Sequence, residues 1–216
     1  MLADDFRHFS QGPTMNAMDP HSATRARIAD AAEALFRQIG YQKTAVADIA
    51  KACGMSPANV YRFFPSKSAI NEAITQRLLD TMGTEIEAIA AGPGGAGERL
   101  RATAAHLYKR DVELFFAEKR MHDMVGAAMT EHWGVIQGFI DRVLAVWMAL
   151  LREGMAAGEF RPLDPQAIAM TFKQCLLLWT HPILLADCLG RGQTPEELGT
   201  QQHAALDLLL AGIARK

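Results

Sequence analysis

Three residues in one short stretch, Ser56, Ala58 and Asn59, carry groups able to read the edge of a base pair. A carboxamide matches the donor–acceptor pair of adenine, a methyl meets the thymine methyl, and a hydroxyl serves either way. Around them stand groups suited to phosphate oxygens: the Tyr61 phenol, the Arg62 guanidinium, the Lys67 ammonium, and the Thr44 hydroxyl at a helix N-terminus. Pro57 lies between Ser56 and Ala58 and shapes the start of the segment that holds them. Chemistry of turnover has no comparable signature. No nucleophile–base pair, metal-ligand spacing or glycine-rich nucleotide loop is evident, so the chain is expected to be no enzyme and to need no cofactor or metal.

The elements that position these groups are read from local signals. Val46, Ile49 and Ala50 share one face of a helix at i, i+3, i+4. Gly54 falls where that helix must end, since a left-handed position past a helix C-terminus is cheap for glycine. Ser56 offers an N-cap and Pro57 fills a first helical position, where its missing N–H costs nothing. A second helix then carries Ala58 to Arg62 before Phe63, Phe64 and Pro65, with Val60 and Phe64 turned to the core. Two short helices joined by a glycine turn make a helix-turn-helix. With the preceding TAVADIAKAC, the run GMSPANVYRFFPSK resembles the DNA-binding segment of the TetR family of bacterial transcription regulators, over about Thr24 to Leu79. The resemblance implies that Tyr61 and Lys67 hold the DNA backbone. Two positions depart from the common family pattern: Ser68 stands where an acidic residue is frequent, and Asn59 where Thr is common.

Charge is distributed to match. The chain has a formal net charge of −2, yet residues 21–67 hold seven Lys/Arg against three acidic residues. Positive charge is therefore concentrated where phosphates would be neutralised. Cys53, Cys175 and Cys188 form no disulfide framework. No secretory signal is evident, and no uninterrupted apolar run reaches the ~20 residues of a membrane span. A cytoplasmic protein with no membrane partner is the expectation.

In chain order, residues 1–20 lack a period and read as a poorly ordered tail, with Met15 and Met18 as alternative starts. Ile28, Ala31, Ala32, Leu35, Phe36 and Ile39 line a helix ending at Gly40, and Phe36 and Ile39 are expected to pack on Val46, Ile49, Val60 and Phe64. Thr44 is expected to cap the second helix, and Ser66 a long fourth one running through Ile70, Ile74, Leu78, Met82 and Ile86 to about Ala90. The GPGGAG run from Gly92 to Gly97 is the clearest linker. Helices follow at about 98–117, 118–129 and 133–157. A largely apolar helix is expected over 165–189, kinked by Pro182 near Leu178. Thr194 caps a last helix over about 195–214.

The fold class is therefore all-α: a three-helix DNA-binding domain (residues 21–67), a linking helix (67–90), and a larger helical domain (91–216). The resemblance implies that this larger domain binds a ligand and forms a homodimer through the last two helices, 165–189 and 195–214. Met121, Met124, Met129, Trp133, Trp147, Phe172 and Trp179 suit the lining of a cavity for an apolar ligand. His106, His122, His132 and His181 supply further polar groups. The combined expectation is a repressor released from a pseudo-palindromic double-stranded operator by an unknown small molecule. Alternatives are an activator, and a small-molecule binding protein without DNA-binding activity.

Overall fold

The computed structural model describes residues 19–117 and 119–215, with 115–117, 119–123 and Trp133 described by backbone alone. The tail expected at residues 1–20 lies almost wholly outside them. All regular structure among the described residues is helical. The elements are α1 (Pro20–Ile39), α2 (Val46–Ala52), α3 (Pro57–Phe63), α4 (Lys67–Ala90), α5 (Ala96–Ala117), α6 (Lys119–Glu131) and α7 (Trp133–Ala156). They are followed by α8 (Pro165–Cys175), α9 (Leu177–Thr180), α10 (Pro182–Gly190) and α11 (Pro195–Ile213). A lone antiparallel bridge joins Phe160 to Ala214.

Two hydrophobic cores divide the chain. The first gathers Ile28, Ala32 and Phe36 of α1, Ile49 of α2, Val60 of α3, Phe64, and Ile70 and Ile74 of α4. Tyr41 joins it, its ring edge-on to Phe36, whereas Ile39 is 38% exposed. The packing expected of Ile39 is thus supplied by Tyr41, which follows the turn at Gly40 (φ +95°). The second core runs from Ile86 through α5, α7 and α8 to Leu206 and Leu210 of α11. The 24-residue α4 spans about 36 Å and passes from one core to the other. The boundary near residue 91 is not clean, because Met124 of α6 is fully buried in the first core. The Asn71 amide of α4 donates to the Met124 carbonyl at 3.3 Å, fixing α6 against the linking helix.

The apolar stretch 165–189 is three helices rather than one kinked helix. Pro182 forces His181 into an extended conformation (φ −118°, ψ 109°), so the chain breaks before the proline and restarts with it at a first helical position. A second break falls at Leu176 (φ −93°, ψ 4°), where no residue type signals it. Gly134–Ala156 within α7 is long and apolar enough by length and composition to cross a membrane, although Asp141, Arg142, Arg152 and Glu153 interrupt its apolar run. It packs among α4, α5 and α8 and turns Trp147, Leu150 and Leu151 into the second core.

Candidate nucleic-acid interface and ligand cavity

The turn between α2 and α3 closes as its sequence dictates. Gly54 has φ +64°, its N–H donates to Lys51 O at 3.1 Å, and the Met55 N–H donates to Ala50 O at 2.9 Å. These are the two bonds of a Schellman ending, which satisfies the last carbonyls of α2. The Ser56 hydroxyl then accepts from the Asn59 N–H at 3.3 Å and caps α3. Ser56, Pro57, Ala58, Tyr61 and Arg62 are exposed and share α3 or its cap. Asn59 is half-buried, its amide resting on the Met55 sulfur at 3.9 Å.

Thr44 and Lys67 do different work from that expected. Thr44 is buried, its hydroxyl donates to Gly40 O at 2.8 Å, and the α2 N-cap is Ala45, whose N–H donates to the Asp48 carboxylate at 2.9 Å. The Lys67 ammonium donates to the carbonyls of Tyr41 (2.9 Å), Thr44 (3.1 Å) and Gln42 (3.4 Å) and lies 4.5 Å from the Tyr41 ring centroid. Three donors on three carbonyls leave none for a phosphate. Both residues hold the loop that sets α2, and neither presents a free group outward.

Two basic residues that spacing did not single out tie α1 to its neighbours. Arg25 of α1 donates to Phe63 O at 2.6 Å and stacks 3.9 Å from the Phe64 ring centroid, which ties the C-terminal end of α3 to α1. Arg77 of α4 pairs with Asp30 at 2.5 Å and with Glu33. Two of the three acidic residues within 21–67 are thereby consumed on the side of α1 that faces α4. With Arg37 held by Glu33 at 2.6 Å, Arg27, Lys43, Lys51 and Arg62 remain as the basic groups of the unit.

Behind this unit lies a cavity of about 560 Å³, within the range of small-molecule sites. Its walls are Leu78 and Met82 of α4, Leu107 and Leu114 of α5, Val125 and Met129 of α6, and Ile136, Phe139, Ile140, Val143, Leu144 and Trp147 of α7. Leu177, Thr180, His181 and Pro182 close it from α9 and α10. The Trp147 indole N–H donates to the Thr103 hydroxyl at 3.0 Å, which fixes the ring at the cavity wall.

Of the seven residues expected to line a cavity, Met129 and Trp147 do so. Met124 is committed to the first core, and Phe172 and Trp179 to the second. Large apolar side chains fill a core as readily as they line a void, so residue type could not separate the two. The side chains of Met121 and Trp133 lie outside the described ones. Among the histidines, His181 reaches the cavity, and burial pulls its pKa down. His106 instead pairs with Glu85 at 2.8 Å.

Beyond His181, the polar residues Asp111 and Thr75 of the cavity wall were not foreseen. Asp111 of α5 lines it, and burial alone raises its pKa to about 7. The signal was available: Leu100, Ala104, Leu107, Asp111 and Leu114 step by four and three, so an acid stands in the apolar stripe. Thr75 Oγ1 and His181 Nδ1 are buried with no hydrogen-bond partner among the described residues.

A polar joint connects the two halves. Ser68, near the start of α4, donates to the Glu131 carboxylate at 2.5 Å and sits 2.7 Å from His132 Nε2. The Tyr41 hydroxyl also reaches Glu131, at 3.3 Å, and His132 Nδ1 lies 3.8 Å from Glu72. The α6–α7 corner is therefore fastened to α4 and to the loop after α1. Ser68, a departure from the common family pattern, is the hub of that fastening.

A family profile described as "Bacterial regulatory proteins, tetR family" matches residues 28–74, and one described as "Tetracyclin repressor-like, C-terminal domain" matches residues 96–197. The chain is 30% identical over 152 residues to the HTH-type transcriptional regulator RutR of Escherichia coli K12, covering 67% of this chain and 68% of that protein. Its fold is similar to that of a TetR/AcrR-family regulator from Thermobifida fusca, with a TM-score of 0.60 and 26% identity over 89% of this chain and 100% of that one. It is also similar to SmeT, described as the repressor of the Stenotrophomonas maltophilia multidrug efflux pump SmeDEF, with a TM-score of 0.62 and 24% identity over 92% and 94%. A complex of SmeT with triclosan matches at a TM-score of 0.63 and 23% identity, over 90% and 93%.

Proposed function

The chain belongs to the TetR family of transcriptional regulators, and we propose that within it this protein is a homodimeric cytoplasmic repressor, released from a pseudo-palindromic operator by a small, largely apolar ligand. It is a DNA-binding regulator and not an enzyme. The observation that carries the finer reading is the course of α4. Ile70 and Ile74 sit in the core beneath α3, Leu78 and Met82 sit on the cavity wall, and Ile86 sits in the second core. An occupant of the cavity therefore presses on the same rigid helix that carries the reading unit. Such an occupant shifts DNA binding when it favours one disposition of α4 over another.

In this reading, Ala58 and Asn59 face base edges from α3, with Ser56 and Pro57 setting its first turn. Tyr61 and Arg62 take phosphates, and Thr44 and Lys67 hold the supporting loop. One short helix reads few base pairs, so two copies are needed, roughly 34–36 Å apart. Exposed Leu177 (41%), Ile183 (44%), Leu184 (40%) and Leu208 (77%) on α9, α10 and α11 supply an apolar face for the second copy. The bound triclosan of SmeT, with that protein's similar fold, supports an apolar effector class here. Selection from a random duplex library tests the proposal. A two-fold-related motif whose affinity falls steeply with salt is expected; binding of all sequences alike would leave a helical small-molecule binder instead.

A further inference from the structure

We propose that the effector joins an apolar body to one protonated amine, and that the Asp111 carboxylate recognises that amine. The inference rests on the reading of the α4–α10 cavity as the effector site. Asp111 projects from the apolar stripe of α5 into a wall otherwise made chiefly of Leu, Ile, Val, Met and aromatic side chains. No hydrogen bond or ion pair reaches its carboxyl among the described residues, and it stands in the stripe that elsewhere packs Leu100, Ala104 and Leu107 into the core. An acid so placed is costly unless a partner arrives with the ligand.

The cations of the cavity do not supply that partner. Arg37 is held by Glu33 at 2.6 Å, and Arg110 by Glu113 at 3.1 Å and Glu85 at 3.4 Å. Lys173 lines the cavity from α8, more than 4.0 Å from any carboxylate among the described residues, Asp111 included. An ammonium carries three donors and no acceptor. An anionic head group would instead meet the Asp111 carboxyl, with Lys173 as its sole uncommitted cation among the described lining residues.

The test uses the full-length protein at pH 8 with three probes of equal chain length, n-decylamine, n-decanol and decanoate. Binding is followed by the emission of Trp147 at the cavity wall and by calorimetry. Decylamine is expected to bind about tenfold or more tighter than decanol, as a charge-assisted hydrogen bond requires. The isosteric D111N variant is expected to erase that preference and leave decanol affinity within about twofold. Decanoate binding tightest, or an amine preference that survives D111N, would overturn the assignment and leave the cavity reading in place. Failure of all three probes to bind would remove the cavity reading itself, and the assignment with it.

Discussion

The reading unit and the effector cavity are built from the same kinds of residue and finished to different degrees. In the reading unit the polar groups that set α2 and α3 in place are spoken for: Lys67 on three carbonyls, Arg25 on Phe63 O, Ser56 on the Asn59 N–H, Thr44 on Gly40 O, and Arg77 on Asp30 and Glu33. In the cavity wall, Asp111, Thr75 Oγ1 and His181 Nδ1 have no hydrogen-bond partner among the described residues. A unit that must present one fixed surface to DNA is complete before DNA arrives. Under the proposed reading, the Asp111 carboxyl in the cavity wall is left for a ligand, at a cost in stability.

The sharpest way to break this comparison is to damage each region equally. Phe64→Ala removes a fully buried ring and the Arg25 stack, and should cost about 3–5 kcal/mol in thermal or denaturant unfolding. Leu144→Ala, at a wall already facing a void, should cost about 1 kcal/mol, below the usual range for a close-packed leucine. Equal losses would mean that the cavity is as well packed as the core.

Asp111 gives the next largest effect, with a definite sign. Its pKa in the folded chain, about 7, lies above the ordinary 3.8. Below pH 3.8 the carboxyl is protonated in both states and has no effect. As pH rises towards 7 the unfolded chain ionises first, so stability falls, and the penalty is complete above pH 7. D111N should therefore stabilise the protein by roughly 2–4 kcal/mol at pH 8 and by almost nothing at pH 4. The groups that share the cavity with it are Arg37, Arg110, Glu113, Lys173 and His181. Of these, His181 titrates nearest the range, and a His181→Gln background isolates the carboxyl. A melting temperature unmoved by D111N at either pH would mean that Asp111 already has a partner.

Smaller effects separate contact from support within the reading unit. Arg62→Ala should leave stability unchanged, weaken operator binding, and reduce the slope of log affinity against log salt by about 1. Lys67→Ala should instead lower stability by about 1–2 kcal/mol, since three carbonyls lose their donor. The reverse pattern would restore Lys67 to the phosphates. At the polar joint, Ser68→Ala should cost about 1 kcal/mol and lessen the effect of a cavity ligand on DNA affinity.

What the sequence made legible follows the same line. Gly54, Ser56 and Pro57 are local signals, each satisfied by residues one to five positions away, so the α2–α3 turn could be read directly. Thr44 and Lys67 could not be placed, because their partners depend on how the α1–α2 loop folds over the start of α4. The break at Leu176 likewise has no residue that demands it. Phe172 and Trp179 read as cavity residues and proved to be core, because apolar bulk suits either setting. The acid in the stripe of α5 was the better signal: one polar residue at an inward position says more about a cavity than many apolar ones.

The dimeric, two-headed reading of DNA is tested most directly by footprinting the selected operator with the wild-type protein and with Leu208→Glu, a change at the most exposed large apolar side chain of α11. Two protected half-sites about one helical turn apart are expected for the wild type. Both should vanish together in the variant, while circular dichroism shows its helical content retained. A single protected site, or a double one indifferent to Leu208→Glu, would contradict that reading.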